Sequence, residues 1–458
     1  MAEQAFGISI AMHRYISELA TRSVPRYTSY PTAAEFNERV GVEDQATALA
    51  AIDPDSAVSL YVHVPYCHQI CWYCGCNTGA VGRSQRLDAY VAALEQEMAA
   101  VASRLRGRVT GIHFGGGSPN ALSTDDFRRV VASLRSHFKV AADAEIAVEL
   151  DPRGFDADYA EMLAEVGVSR VSLGVQTFAA HVQKRINRVQ PYRTIAEAVR
   201  NLRYAGITHI NFDLMYGLPG QTADDVADTI AAALRLYPDR VAMFGYAHMP
   251  RLLPRQRMID DSALPDAAAR FAQSDLAHHM LVQAGYRAIG FDHFATPSDS
   301  LAIAAEEGRL RRNFQGFSDE GGAAIVGLGA SSISQFDGLL VQNEKHVGRY
   351  RMRAGNGGMA AARGVARSAE DQLRGAVIEQ FLCNGTVDVA AVAQAHGHMP
   401  EVLIGAWDAL QELAARQLVV LDGWRLTLAE GALPYARLIA AAFDLYRAPA
   451  DHRFSKAV

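Results

Sequence analysis

Four cysteines lie within ten residues of one another in this 458-residue chain, and the only other cysteine is Cys383. Thiolates are ligands of zinc and of iron–sulfur clusters, and two thiols spaced by two residues can also act as a redox pair. Residues 61–78 read YVHVPYCHQICWYCGCNT. The cysteine loop, as we call residues 67–76, contains Cys67, Cys71, Cys74 and Cys76.

The spacing favours an iron–sulfur cluster over the two alternatives. A zinc ion usually takes two ligand pairs from separate parts of a chain, so four thiols this close would need a tightly folded knuckle. A redox pair of Cys71 and Cys74 would leave two thiols unexplained. The pattern C-x3-C-x2-C lets three thiolates bind three irons of a cube and leaves the fourth iron open. An open iron is a Lewis acid that can chelate the amine and carboxylate of an amino acid.

The composition is typical of a cytosolic globular protein. Half of the residues are hydrophobic and 21% are charged, and the length allows two or three structural units. The formal net charge of -6 argues against a general nucleic-acid binder, which would show a basic surface. We find no basic leader and no apolar stretch long enough to span a membrane. In reducing cytosol the clustered cysteines would remain thiols or metal thiolates.

Short β-branched runs alternate with helix-patterned segments, an order that predicts a parallel sheet. Ser123 and Thr222 precede two of these segments as typical N-caps. The predicted strands span 58–64, 109–114, 145–150, 170–175, 209–214 and 240–246, and the predicted helices span 85–106, 124–138, 156–166, 192–205 and 223–236.

Six such units fit an α/β fold, either an incomplete (β/α)6 TIM-like barrel or an open doubly wound sheet. Both folds carry their functional residues at the carboxyl ends of the strands. We therefore expect the residues that follow the six strands to meet at one rim. In chain order these are the cysteine loop, GGGSPN, Glu149 with Asp151, Gln176, Asp213 with YGLPG, and YAHMP.

A C-x3-C-x2-C loop after the first strand of a partial barrel resembles the signature of radical S-adenosylmethionine enzymes. Further blocks are similar to one family of that group, the oxygen-independent coproporphyrinogen III oxidases, also called dehydrogenases. These blocks are RYTSYPTAAEF at 26–36, the cysteine loop with its flanks, FGGGSPN, SLGVQTF, NFDLMYGLPGQT, GYAHMP, FDHFA at 291–295 and RRNFQGF at 311–317.

The resemblance implies a [4Fe-4S] cluster whose open iron binds S-adenosylmethionine. One electron would then split the cofactor into methionine and a 5′-deoxyadenosyl radical, which removes a hydrogen from the β-carbon of a propionate. Loss of carbon dioxide and one electron would leave a vinyl group. In this family the ring A and ring B propionates of coproporphyrinogen III react, giving protoporphyrinogen IX for haem biosynthesis. The resemblance also implies an electron donor and an acceptor that the sequence does not identify, and we expect a monomer.

The resemblance further implies the residues of the site. Cys67, Cys71 and Cys74 would bind the cluster, whereas Cys76 would not. Two S-adenosylmethionine molecules would share the remaining residues, and the carboxylates of Glu149 and Asp213 would bind amine and ribose hydroxyl groups. The implied cofactor-binding residues are Tyr61, Tyr73, Gly116, Gly117, Ser118, Glu149, Gln176, Arg188, Asp213, Ala247 and Ile333.

Several of these residues also have structural explanations. The glycine cluster could form a plain turn between strand and helix. Glu149 and Asp213 could belong to structural salt bridges, because an unpaired carboxylate in an apolar strand costs several kcal/mol. Tyr61 and Tyr73 could be core aromatic residues. The sequence alone leaves these alternatives open.

Arginines near the rim are candidates for binding the propionates, because a guanidinium pairs with a carboxylate through two hydrogen bonds. The alternative for each is a solvated, charged surface. The candidates are Arg251, Arg255, Arg257, Arg311 and Arg312.

We predict three structural units. Residues 1–55 form an N-terminal extension over the active site, residues 56–350 form the catalytic barrel, and residues 351–458 form a helical, winged-helix-like lid. The glycine-rich stretch 353–368 indicates a linker or turn. Asp422 and Gly423 indicate a β-hairpin in the last unit.

Two other functions stay open. A haem-binding chaperone of a related branch shares the three cluster cysteines, but it typically has phenylalanine at the position of Cys76 and lacks the RYTSYPT block. A zinc-stabilised nucleic-acid module could use the cysteines and the C-terminal hairpin. Cys76 and the RYTSYPT block both favour the enzyme.

The purified protein should contain iron and sulfide, and metal analysis with an optical spectrum distinguishes these from zinc. The variants Cys67→Ala, Cys71→Ala and Cys74→Ala should each abolish the formation of three products, which are 5′-deoxyadenosine, carbon dioxide and protoporphyrinogen IX. Zinc in place of iron would contradict the cluster.

Overall fold

A computed structural model describes residues 13–82, 84–447 and 454–457. The first twelve residues of the predicted N-terminal extension therefore lie outside the described part. Within the described residues, no helix is both long and apolar enough to cross a membrane.

Six parallel strands form the centre of the main sheet, and neighbours in the sheet are also neighbours in the chain. Because right-handed crossovers without a reversal of strand order place every helix on the same face, the six units form an incomplete barrel and not a doubly wound sheet. The strands are β1 (Ala57–Val64), β2 (Arg108–Gly116), β3 (Val140–Leu150), β4 (Arg170–Gln176), β5 (His209–Tyr216) and β6 (Arg240–Gly245).

The helices between these strands also agree with the prediction. Ser123 and Thr222 cap two of them, each accepting a hydrogen bond from a backbone N–H in the first turn. The helices are α1 (Ser84–Ala102), α2 (Thr124–His137), α3 (Ala157–Glu165), α4 (Tyr192–Tyr204), α5 (Ala223–Leu234) and, after β6, α6 (Ala267–Gln283).

The sheet is wider than the six predicted strands and contains twelve. Ala324–Leu328 runs parallel to β1 and is followed by three antiparallel strands that end with Ala361–Ala366, while two short antiparallel strands extend β6. The predicted linker at 353–368 therefore contains a strand, and the sheet continues beyond residue 350. The added strands are Arg287–Ile289, His293–Ala295, Ala324–Leu328, Ile333–Phe336, Leu339–Asn343 and Ala361–Ala366.

The two faces of the barrel strands differ in polarity. Val58, Leu60 and Val62 of β1 are fully buried in the core that also contains residues of the surrounding helices. Their neighbours Tyr61 and His63 point to the opposite face, because side chains alternate along a strand. The inner face of the barrel is thus the polar face.

The N-terminal segment and the C-terminal part share a second hydrophobic core, to which Leu19, Val24 and Phe381 belong. Thr386–Asp388 joins the hairpin strands Val419–Asp422 and Arg425–Leu428 in a small sheet, which confirms the predicted hairpin. The remaining α-helices are Ser17–Ala20, Val42–Ala51, Ala180–Arg185, Ser300–Glu306, Val347–Ala354, Ala369–Asn384, Val389–Ala395, Ile404–Ala415 and Ala436–Ala440, and the remaining short strands are Tyr66–Cys67, Gly79–Ala80, Arg311–Asn313 and Gly316–Ser318.

Glu97 of α1 is a fully buried carboxylate that joins the helix to the strands beyond β1. It accepts hydrogen bonds from the Tyr350 hydroxyl (2.6 Å), the Asn343 side-chain amide (2.6 Å) and the Gly329 backbone N–H (2.7 Å). Burial raises the pKa of Glu97 from its ordinary value of 4.5 to about 7.

This raised pKa predicts a pH dependence of stability. The folded state binds the proton of Glu97 more tightly than the unfolded state does, so the contribution is fully present below about pH 4.5 and is lost as the pH rises through about 7. Between pH 5 and pH 8 we expect the free energy of unfolding of the wild type to fall by on the order of 2 kcal/mol more than that of Glu97→Gln. Denaturant unfolding followed by circular dichroism measures both, and parallel pH dependences would refute the assignment.

Candidate active site

The cysteine loop follows the carboxyl end of β1 and is held by two neighbouring segments. The backbone N–H of Trp72 donates to the carbonyl of Ile186 (3.1 Å), and the side-chain amide of Gln256 donates to the carbonyl of Tyr73 (2.8 Å). Trp72 and Tyr73 also pack against a small hydrophobic cluster that includes Val182. The loop backbone is therefore fixed by the protein itself.

A cavity of about 410 Å³ lies beside the cysteine loop and extends along the carboxyl ends of the barrel strands. It brings together residues from many parts of the sequence, as the sequence predicts for one rim of the barrel. The predicted site residues in its wall are Cys67, Cys71, Tyr73, Cys74, Gly116, Gly117, Glu149, Gln176, Arg188, Asp213 and Ala247, together with Cys76.

Three predicted site residues are outside the described wall of this cavity. Tyr61 stacks on the ring of His113 with 5.9 Å between ring centroids. Ser118 is buried and donates a hydrogen bond to the side-chain oxygen of Asn120. Ile333 begins a strand on the far side of β1. Their direct roles toward a cofactor stay predictions.

The glycine turn after β2 is required by the packing of the chain. Gly116 has a φ of 105°, and a Cβ atom there would lie 2.4 Å from the ring of His63. A Cβ on Gly117 would lie 2.5 Å from the carbonyl oxygen of Tyr66. The turn thus has a structural reason for its glycines, and both residues also line the cavity.

Gln176 ends β4 in a strained backbone conformation. Its φ of 64° lies in the left-handed region that residues other than glycine rarely adopt. Such strain is found mainly at functional sites, where the surrounding structure maintains it. Here it accompanies a side chain in the cavity wall.

The two carboxylates of the cavity wall, Glu149 and Asp213, are partly exposed and differ in their surroundings. Burial disfavours the charged form of Glu149, but the hydrogen bond from His113 Nε2 (3.0 Å) and the charge of that ring outweigh burial and lower its pKa. Burial and the nearby charge of Glu149 raise the pKa of Asp213 to about 6. Asp213 accepts hydrogen bonds from the neutral side chains of Ser172 (2.9 Å) and Asn211 (2.9 Å). This arrangement differs from the structural salt bridge that the sequence left open for Asp213.

Two arginines donate to the same sulfur atom. Arg153 Nη2 and Arg188 Nη1 each lie 3.3 Å from Cys71 Sγ. Asp151 accepts from both guanidinium groups, at 2.6 Å from Arg153 and 3.5 Å from Arg188. The two guanidinium groups thus place positive charge beside this sulfur. The sequence analysis missed Arg153, although the triplet Asp-Pro-Arg directly after β3 could have indicated it.

The sequence analysis also missed Arg26, which lies in the cavity wall. The RYTSYPT block indicated this segment but no particular residue. The arginines that the sequence analysis predicted as propionate ligands lie in different environments. Arg255 lines the cavity and donates to the carbonyl of Thr78 (2.6 Å), whereas Arg251 and Arg257 are exposed. Arg311 pairs with a surface glutamate, and Arg312 is buried between aromatic rings.

The donor set fits an iron–sulfur cluster. Thiolates are the standard ligands of such clusters, and each one binds a different iron. A zinc site would instead require its ligands to surround one point, and no three His, Cys, Asp or Glu side chains in the described ranges converge on a single-ion site. The backbone N–H of Cys76 donates to Cys74 Sγ (3.4 Å), so this residue supports a neighbouring sulfur through its main chain.

Comparison with known proteins shows a family likeness over nearly the whole chain. Residues 61–233 match the radical SAM superfamily. The chain is 43% identical over 437 residues to the oxygen-independent coproporphyrinogen III oxidase of Bradyrhizobium diazoefficiens, covering 95% of this chain and 97% of the relative. It is 39% identical over 428 residues to that of Escherichia coli, covering 93% of each. The solved coproporphyrinogen III oxidase of Escherichia coli, a radical SAM enzyme, superposes with a TM-score of 0.89 at 37% identity, covering 92% of this chain and 98% of that one.

The pair of arginines at Cys71 predicts an effect on redox potential. Loss of a positive charge and hydrogen bond beside a cluster sulfur disfavours the added electron, so Arg153→Gln should make the reduction potential more negative by on the order of tens of millivolts. Arg188 would keep Asp151 paired in this variant. A redox titration followed by electron paramagnetic resonance measures the shift, with Arg193→Gln on the surface as the matched control. Equal potentials in wild type and Arg153→Gln would contradict this role.

Proposed function

The chain belongs to the family of oxygen-independent coproporphyrinogen III oxidases of the radical SAM superfamily, and on this premise we propose that it converts the ring A and ring B propionates of coproporphyrinogen III to vinyl groups. The protein is an oxidoreductase of anaerobic coproporphyrinogen oxidation in haem biosynthesis. The finer reaction, with protoporphyrinogen IX as product, is our proposal. The observation that carries it is the cavity that unites the thiols of Cys67, Cys71 and Cys74 with the carboxylates of Glu149 and Asp213 and with Arg188.

The thiols of Cys67, Cys71 and Cys74 would hold a [4Fe-4S] cluster. With S-adenosylmethionine bound, this cluster supplies the radical chemistry that removes a hydrogen atom from the substrate. Arg153 and Arg188 donate to the sulfur of Cys71 and offset its negative charge. Cys76 would not bind the cluster. Its backbone N–H donates to Cys74 Sγ (3.4 Å), and its thiol is also hydrogen-bonded to that sulfur.

The remaining wall residues would orient the cofactor. Glu149 is charged at neutral pH because His113 lowers its pKa, which suits it to bind an ammonium group. Asp213 would accept hydrogen bonds from ribose hydroxyl groups. Gly116 and Gly117 lie where the main chain can approach a ligand closely. The presence of a second S-adenosylmethionine molecule is proposed from the resemblance to the family, as are the external electron donor and acceptor, the monomeric state and the cytosolic location.

The test is an anaerobic incubation of the reconstituted protein with S-adenosylmethionine, a reductant and coproporphyrinogen III. We expect 5′-deoxyadenosine, carbon dioxide and protoporphyrinogen IX. Asp213→Asn should lower the affinity for S-adenosylmethionine by about tenfold to a hundredfold, because a hydrogen bond to a charged group contributes about 1.5–3 kcal/mol. Equilibrium dialysis measures this affinity.

The matched control is Asp228→Asn, which alters an exposed carboxylate on α5. This variant should bind S-adenosylmethionine as the wild type does. Binding of haem by the wild type with no release of carbon dioxide would overturn the proposal in favour of a haem-binding chaperone.

A further inference from the structure

Four arginines from distant parts of the chain meet beside the active-site cavity. We call Arg26, Arg270, Arg312 and Arg437 the arginine cluster. They belong in turn to the N-terminal segment, to α6, to the strand Arg311–Asn313 and to the helix Ala436–Ala440.

Contacts join the members of the cluster to one another and to the active site. Arg312 Nη2 donates to the carbonyl of Arg26 (2.9 Å), and Arg26 Nη2 donates to the carbonyl of Gly245 at the end of β6 (3.0 Å). Arg312 and Arg437 both lie over the ring of Phe291, at 4.7 Å and 5.7 Å from its centre. The guanidinium groups are thus gathered around the point where the sheet and both terminal segments meet.

The cluster has more positive than negative charge. Asp292 is buried among these groups, and although burial opposes its ionisation, the charges of His293, Arg312 and Arg26 lower its pKa to about 2. The guanidinium groups of Arg26, Arg312 and Arg437 alone outnumber this carboxylate, and Glu379, which lies near Arg312, pairs with Arg311. Burial and the charge of Arg26 lower the pKa of Arg437 to about 10, so it still carries its proton at neutral pH. Desolvated charges of one sign are costly without a counter-ion, and the cluster therefore favours an anion.

A small side pocket beside the arginine cluster could hold such an anion. Its volume is about 40 Å³, and Arg26, Arg270, Arg437 and Asp292 contribute to its wall. One water molecule takes up roughly 30 Å³, so the pocket has room for a group of carboxylate size. Arg26 and Gly245 line both this pocket and the larger cavity of the cysteine loop. The two spaces therefore adjoin at Arg26 and Gly245.

We propose that the arginine cluster binds a propionate of the substrate that the reaction does not remove. This inference rests on the proposed function, which supplies a tetrapyrrole with four propionates. Guanidinium groups match carboxylates in geometry and charge. The guanidinium groups stabilise the negative charge of a bound carboxylate. Release of carbon dioxide removes that charge from the substrate, so a carboxylate surrounded by arginines resists decarboxylation. The cluster anchors a retained propionate and leaves a reactive one in the larger cavity.

Arg26 and Arg270 are the best positions for a test. Arg437 also donates to the carbonyls of Val24 and Ala457 and so joins the two terminal segments, which makes its substitution a risk to folding. Arg22 provides the matched control, because it is exposed and lies four residues before Arg26 in the same segment.

The experiment measures dissociation constants of three stable porphyrins for the full-length, reconstituted protein by quenching of protein fluorescence. The probes are coproporphyrin III, protoporphyrin IX, which keeps only the retained propionates, and the tetramethyl ester of coproporphyrin III. We expect Arg26→Gln and Arg270→Gln to raise the dissociation constants of both acids by about tenfold or more and to leave that of the ester unchanged. Arg22→Gln should bind all three probes as the wild type does.

Three outcomes would overturn the inference. Unchanged dissociation constants for both acids would remove the anchoring role, and equal weakening of acids and ester would indicate a packing role. Weaker binding of coproporphyrin III alone would assign the cluster to a propionate that is lost.

Arg26→Lys, which keeps the charge, should bind both acids more tightly than Arg26→Gln does. Wild type that binds coproporphyrin III but releases no carbon dioxide would contradict the proposed function, while carboxylate binding by the cluster remains measurable in the same variants.

Discussion

The site depends on one constraint, which is that three thiols must be held around a cavity without converging on a single point. A flexible loop would lose much conformational freedom on binding a cluster, and preorganised ligands avoid that cost. Here the loop backbone is hydrogen-bonded to the segments around Ile186 and Gln256, and its aromatic residues pack on a small core. The glycine turn after β2 allows Tyr66 and Thr78, which flank the cysteine loop, to pack closely against it. The loop that carries the cysteines is thus held by contacts within the protein itself.

The barrel strands support the cysteine loop and also provide a polar inner face. Their outer residues form the core with the helices, so the fold is stabilised without the residues that face inward. The rim can then contain residues that are unusual in a β-strand. These are the carboxylates of Glu149 and Asp213 and the strained backbone of Gln176. Departures of this kind are expected where function and local structure compete. The fold tolerates them because hydrogen bonds from neighbouring strands satisfy the carboxylates.

The sequence predicted the six barrel strands and their helices because each is specified by a hydrophobic period within a few residues. It missed the strands of the main sheet from Ala324–Leu328 to Ala361–Ala366, which are short and are defined by pairing partners distant in sequence or by antiparallel neighbours. Likewise, the rim residues follow predicted strands, whereas Arg26 reaches the cavity only because the N-terminal segment packs on the C-terminal helices. The arginines predicted from proximity in sequence, Arg251 and Arg257, are instead exposed. Local sequence patterns therefore predicted the cysteines and carboxylates of the rim. Tertiary contacts determine which arginines surround them, and the sequence did not predict these contacts.

The most direct test of the account is electron–nuclear double resonance on the reduced protein with S-adenosylmethionine labelled with ¹⁵N at the amine and ¹³C at the carboxylate. Three thiolate ligands leave one iron that can chelate both groups, so the account predicts hyperfine coupling from both labels to the cluster. Coupling that is absent from wild type, and that appears only when Cys76 is replaced by alanine, would show that a fourth thiolate closes the cluster and would contradict the account.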